Sequence, residues 1–267
     1  MAAFEGWFAG AQEVLALDDP ARKCDGAARL WQAMRAGDLK PDEATPLAPI
    51  TAPGRPDRPE LVEPAAVPRR RLGSEHGRAA LVHAIAHIEF NAINLALDAV
   101  YRFRGMPADY YEDWLSVAAD EARHFRLLET RLGELGHAYG DFPAHDGLWD
   151  MAQRTAGSCL HRMALVPRVL EARGLDVTPG MIERLEAVGD AATASILRVI
   201  LEEEVRHVEI GSHWFRYLCE GQGLDPEQTF LDLLGTHFSG QLRGPFNLAA
   251  RRRAGFTPME MERLANL

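Results

Sequence analysis

The sequence predicts an all-α protein organised around a four-helix bundle, and three observations carry that reading. Long stretches of the chain are apolar with helical period. One pattern occurs twice inside those stretches, as Asp120-Glu121-Ala122-Arg123-His124 and as Glu203-Glu204-Val205-Arg206-His207. A single Glu also stands upstream of each copy at a matching distance: Glu89 is 32 residues before Glu121, and Glu171 is 33 before Glu204. On a helix, Glu and His three residues apart lie one turn apart on the same face, so both can reach one metal ion.

The N-terminal segment, 1–40, reads as a helical appendage. Residues 4–17 form a short amphipathic helix, and Asp19-Pro20 starts a second that runs to about Ala36. Its apolar positions Leu30, Trp31 and Met34 are expected to pack on the outside of the bundle. From 41 to 68 there are eight prolines, so segment 41–74 cannot be helix or central strand and is expected to be an extended strap. The triplet Arg69-Arg70-Arg71 follows. Such a run is usually solvated; the alternative is an anion site.

The bundle itself is placed at 75–221. Helix one runs from about Glu75 to Arg104, stops at Gly105-Met106-Pro107, and helix two continues to about Gly136. Glu89 lies 17 residues before Met106 and Glu121 lies 15 after it, so an antiparallel hairpin puts the two at nearly one height. His137 to Gly147 should be an ordered crossover. Helix three is expected from Leu148 to Arg173, kinked by Pro167 one turn before Glu171. Gly174 reads as its end, so 174–179 should climb in extended form, with a short helix at 180–188 before Gly189-Asp190 opens helix four. Three shorter helices, near 225–240, 245–254 and 258–265, make up a tail at 222–267 that contains Arg251-Arg252-Arg253.

The candidate ligands point into grease. At roughly 100° per residue, Glu121 shares its face with Trp114, Val117, Ala118, Phe125 and Leu128, and Glu204 with Leu197, Ile200, Leu201, Val208 and Gly211. Val82, Ile85, Ala86, Ala92, Ile93 and Ala96 surround Glu89 in the same way. A lone carboxylate there would cost several kcal/mol or take up a proton, and a bound cation removes the difficulty. A buried ion-pair network with Arg123 and Arg206 is the competing explanation, but it does not account for the repeated spacing. Glu183 and Glu186 would break the match that selects Glu171. Asp120 and Glu203 are expected to accept from the outer nitrogen of a ligand His, fixing its tautomer, or to pair with Arg123 and Arg206.

Other candidates are weaker. His87 lies about 200° from Glu89, so His83 and His87 should pack beneath an appendage or face solvent. His161 reads as a core or rim residue, and Trp114 as core. Net charge is −10, which counts against a general nucleic-acid binder. Cys24, Cys159 and Cys219 are odd in number and lack C-x-x-C spacing, which suits a reducing cytoplasm without a disulfide framework or zinc site. No basic region followed by an apolar run opens the chain, and no apolar stretch of roughly 18 residues stands out, so a soluble cytoplasmic protein is expected.

Four Glu and two His on four helices are the ligand set of a carboxylate-bridged dinuclear centre. Carboxylates with one imidazole per ion suit iron or manganese better than copper(I) or structural zinc. On these motifs the chain resembles the ferritin-like di-iron carboxylate superfamily. From about Arg58 onward, segments such as AHIEFNAINLALDAVYRF, ALVPRVLEARGLDVTP and RGPFNLAARRRAGF look like an uncharacterised bacterial ferritin-like family, with a more distant likeness to di-iron tRNA hydroxylases. The resemblance implies a ferritin-like bundle in which one ion takes Glu89, Glu121 and His124, the other takes Glu171, Glu204 and His207, and Glu121 and Glu204 bridge. It implies two iron ions, with Mn/Fe as the alternative, and O2-dependent oxidation or hydroxylation of a small organic substrate, served by an electron-donor protein. The alternatives are a tRNA or nucleotide hydroxylase, a ferroxidase or iron-handling protein, and a metal-stabilised scaffold.

Overall fold

The computed structural model describes residues 4–67, 71–238 and 244–265. Those residues are all-α, with no strand among them beyond a single bridge between Leu61 and Ala144. The chain divides into two compact units, Met1–Gln153 and Arg154–Leu267, so the boundary falls inside the segment expected to be the bundle. Each unit is built on one helical hairpin.

In the first unit, α1 (Trp7–Leu15) and α2 (Pro20–Ala36) pack on the hairpin of α3 (Glu75–Arg102) and α4 (Ala108–Glu134). Sequence signals set these ends. Asp19 accepts from Arg22 N at 2.8 Å to start α2, and Gly37, with φ 75°, ends it in the left-handed region. Contacts Phe103–Tyr111, Ala99–Tyr110 and Glu89–His124 fall along one helix as they rise along the other, so the hairpin is antiparallel. Helix α3 is apolar enough by length and composition to cross a membrane, with a mean hydropathy of 1.3 over its best window, which corrects the expectation that no such stretch exists. That window is 83% buried and the helix also buries Glu89, Asn91, Asn94 and Asp98, as a core helix does.

The proline-rich strap is ordered because side chains supply the hydrogen bonds its own backbone cannot make. Tyr101 Oη accepts from Ala48 N at 2.7 Å. Trp149 Nε1 on α5 (Gly147–Arg154) donates to Thr51 O at 3.0 Å, and Gln153 Nε2 donates to Ile50 O at 2.9 Å. Lys23, one of only two lysines in the chain, is fully buried. Its ammonium donates to Leu15 O at 3.0 Å, Gly54 O at 2.6 Å and Asn94 Oδ1 at 2.5 Å, which ties α1, the strap and α3 to one point. Asp42, at the start of the strap, caps α1 by accepting from Phe8 N at 2.8 Å and Ala9 N at 2.9 Å. Gly6 leaves room for it, since a Cβ there would lie 2.4 Å from Asp42 Cγ. Further on, the strap pairs with the 137–147 connection through Val62 N to Ala144 O at 2.8 Å and Ala144 N to Glu60 O at 3.0 Å.

The second unit departs from expectation at both ends of helix three. The expected single helix is interrupted after α5, and α6 (Cys159–Leu165) begins afresh at Ser158, whose Oγ accepts from His161 N at 3.2 Å. Pro167 then falls in a π-helical turn, Val166–Glu171, which passes directly into α7 (Ala172–Ala187). No extended climb occurs at Gly174–Pro179; Pro179 lies inside α7. A proline there leaves the carbonyl four residues back without its helical donor. That carbonyl is Leu175 O, and Asn247 Nδ2 donates to it at 3.2 Å. The helix survives because a residue far along the chain replaces the missing bond.

Helix α8 (Ala191–Gly221) follows, started by Asp190, which accepts from Thr193 N at 3.0 Å. With α7 unbroken, Glu171 stands 18 residues before Gly189 and Glu204 stands 15 after it, so this hairpin repeats the levels of the first. The tail forms α9 (Pro226–Phe238), α10 (Leu248–Arg253) and α11 (Pro258–Ala265). Residues 239–240, expected to extend α9, lie outside the described residues, as do Arg69 and Arg70.

Candidate metal centre

In the first unit the antiparallel hairpin brings three of the predicted residues together. Glu89 from α3 is 4% exposed, while Glu121 and His124 from α4 are fully buried. His124 Nδ1 lies 3.0 Å from Glu89 Oε2 and 3.4 Å from Glu121 Oε2. One ligand atom from each lies within 4.8 Å of the others, a spacing that could hold a metal ion. The wall around them is the predicted one: Trp114, Val117, Ala118, Phe125 and Leu128 are all buried, as are Ile85, Ala86 and Ile93 on α3. An imidazolium at His124 would cancel one carboxylate charge, whereas a divalent cation bound by all three groups cancels both. The donor set therefore fits a hard or borderline metal ion.

In the second unit, α8 presents the other copy of the motif. Glu204 is 9% exposed, His207 is fully buried, and His207 Nδ1 lies 3.4 Å from Glu204 Oε1. Leu197, Ile200 and Val208 beside them are buried, and Leu201 is half-buried. Glu171 is half-buried and is the last residue of the π turn. Asp120 and Arg123 meet each other at 3.4 Å near the surface, the pairing that sequence reasoning allowed for them. Glu203 is half-buried and Arg206 exposed on α8.

A network that sequence reasoning missed lies beside the first cluster. His83 and His87, expected beneath an appendage or facing solvent, pack instead beneath the 137–147 connection, where they are not idle. Tyr139, from that connection, makes a 2.9 Å hydrogen bond with His87 Nδ1, and Gly140 N donates to His83 Nε2 at 2.9 Å. Burial lowers the His87 pKa to about 4, so its imidazole is neutral at pH 7. Burial likewise raises the Tyr139 pKa above its usual range. The Tyr139 ring also meets Phe90 at a tilt and Phe125 edge to face, the residues next in sequence to Glu89 and His124. A lone Tyr in a polar connection offers no periodic signal, so only the fold reveals it.

A family model described as "Protein of unknown function (DUF455)" matches residues 16–262. The chain belongs to the DUF455 family. An "Uncharacterized protein" of Haemophilus influenzae is 49% identical over 214 residues, which cover 78% of this DUF455 chain and 74% of that protein. No solved structure matches. Neither description names an activity, so what this DUF455 protein does has to be argued from its donors.

The remaining sequence candidates in this DUF455 chain resolve as structure. Arg251 forms a two-pronged contact with the buried Asp176, Nε to Oδ1 at 2.9 Å and Nη2 to Oδ2 at 2.7 Å. Arg253 pairs with Glu202, and Arg252 is exposed. That triplet is therefore largely engaged with acids of its own unit rather than presented as a phosphate site. His161 sits at a rim, its ring 6.1 Å from that of His237, and Trp114 is core.

Proposed function

We propose that this DUF455 protein is a non-haem di-iron carboxylate oxidoreductase of ferritin-like build. Supporting it is the buried Glu89–Glu121–His124 cluster, whose spacing the sequence repeats as Glu171, Glu204 and His207. In this reading Glu89, Glu121 and His124 would hold one iron ion, and Glu171, Glu204 and His207 the other. The apolar wall of Trp114, Val117, Phe125 and Leu128 keeps water from competing for the carboxylates, which strengthens their hold on a cation. When bound, a pair of ferrous ions supplies two electrons to O2 for oxidation or hydroxylation of a small organic substrate. An electron-donor protein would return the centre to its reduced form. The tRNA hydroxylase alternative draws no support from Arg251–Arg253, since two of the three pair with Asp176 and Glu202.

Anaerobic loading of the purified protein with ferrous iron, followed by exposure to O2, tests the reading. A change in the iron absorption bands coupled to O2 uptake separates an oxidase from an inert scaffold. Sustained accumulation of ferric iron in a shell-sized oligomer would point to storage instead, and salt-sensitive tRNA binding to the hydroxylase. Metal analysis of protein from cells fed both metals distinguishes Fe/Fe from Mn/Fe.

A further inference from the structure

Helix α6–α7 carries two breaks, at the π turn and at Pro179, and the same C-terminal segment covers both. At Pro179 the cover is Asn247 on Leu175 O. At the π turn it is an ion pair. Arg168, inside the turn and 2% exposed, donates from Nη2 to Glu260 Oε1 on α11 at 2.7 Å and from Nε to Ser212 Oγ on α8 at 3.2 Å. Its guanidinium lies over the rings of Phe230, Phe256 and Phe215, 4.1, 4.6 and 4.8 Å from their centroids. Glu260 is itself fixed, since its Oε2 accepts from Thr257 N at 2.9 Å. Beside Arg168, the Pro167 ring sits where a Cβ on residue 211 would lie, 2.2 Å from Pro167 Cγ, so Gly211 lets the turn approach α8.

This arrangement is more than stability requires. A buried ion pair is often no better than apolar side chains of the same volume, because both charges lose their water. What the pair does supply is a defined position for residue 168, three residues before Glu171. A π turn holds one residue more than the α-helical turn it replaces. If it relaxed to α-helix, the residues on one side would rotate by roughly 100° relative to those on the other. Glu171 would then leave its present face.

We infer that Arg168 and Glu260 are positioning residues for the metal ligand Glu171, and that the C-terminal segment is thereby part of the metal centre's support. The inference rests on the di-iron reading above. Iron stoichiometry and affinity, measured by anaerobic ferrous titration with a competing chelator, test it in Glu260→Gln and Arg168→Lys. Both are milder than alanine replacements, and circular dichroism reports whether helix content is kept. Asp176→Asn is the control, because it loosens the same tail through Arg251 but away from the π turn. The expected result is that wild type binds two ions, the two test variants keep the first and bind the second at least tenfold more weakly, and the control binds both as wild type does. Two tightly bound ions in Glu260→Gln and Arg168→Lys would overturn the inference while leaving the di-iron reading intact. Equal loss of the second ion in the control would also overturn it, showing a general loosening of the tail. Failure of wild type to bind iron would remove the di-iron reading itself.

Discussion

Replacing Lys23 by Met tests how the strap is held. The substitution keeps the length of the side chain but removes the donor to Leu15 O, Gly54 O and Asn94 Oδ1. Leaving buried acceptors without a donor costs about 1–3 kcal/mol each, and removing the buried ammonium returns part of that, so a net loss of about 2–4 kcal/mol is expected. The loss should depend on pH. Burial lowers the Lys23 pKa from 10.5 to about 7. Below pH 7 the group is charged in both folded and unfolded chains and contributes no slope. Between 7 and 10.5 the unfolded chain holds the extra proton, so wild-type stability rises with pH relative to the variant, by about 1.4 kcal/mol per unit. Urea denaturation of both proteins at pH 6.5, 8 and 9.5 measures this. The gap should widen by about 3 kcal/mol across that range. A gap that stays constant would show that Lys23 remains an ammonium throughout, with the three acceptors outweighing burial.

Gly211→Ala should destabilise by about 1–3 kcal/mol or more, because its Cβ would meet the Pro167 ring; thermal melts check this, and an unchanged midpoint would mean the π turn can move away. Asp42→Ala removes the acceptor for Phe8 N and Ala9 N and should cost about 1 kcal/mol of stability in urea, with hydrogen exchange speeding up in α1 first. Asp176→Ala leaves Arg251 buried without its partner and should cost about 3–5 kcal/mol, read by the same denaturation. Removing bound iron with a chelator should lower the melting midpoint, since a ligand at 100 times its Kd adds about 2.7 kcal/mol to the folded state. Glu121→Ala, which holds neither ion in this reading, should show no such drop.

Local features were legible in proportion to how local their causes are. Helix starts at Asp19-Pro20 and Asp190, the turn at Gly105-Met106-Pro107, and the levelling of Glu89 with Glu121 all follow from neighbours within a few residues. The burial of the faces around Glu121 and Glu204 followed from helical period alone. The misreading of Gly174–Pro179 has a different origin. Proline's cost in a helix is a single lost hydrogen bond, and here the replacement comes from Asn247, which no periodicity at residue 179 can announce. The same holds for Arg251, whose partner Asp176 is remote in sequence, so the role of its triplet could not be read from its neighbours. Tyr139 was invisible because its role depends on a connection folding back over His87.

The most direct test of the di-iron proposal is metal analysis of protein purified from iron-fed cells, for wild type, Glu121→Ala and His207→Ala, alongside circular dichroism. The proposal predicts two irons per wild-type chain, and loss of both from each variant with helix content preserved. Iron-free wild type, or variants that retain a full complement, would contradict it.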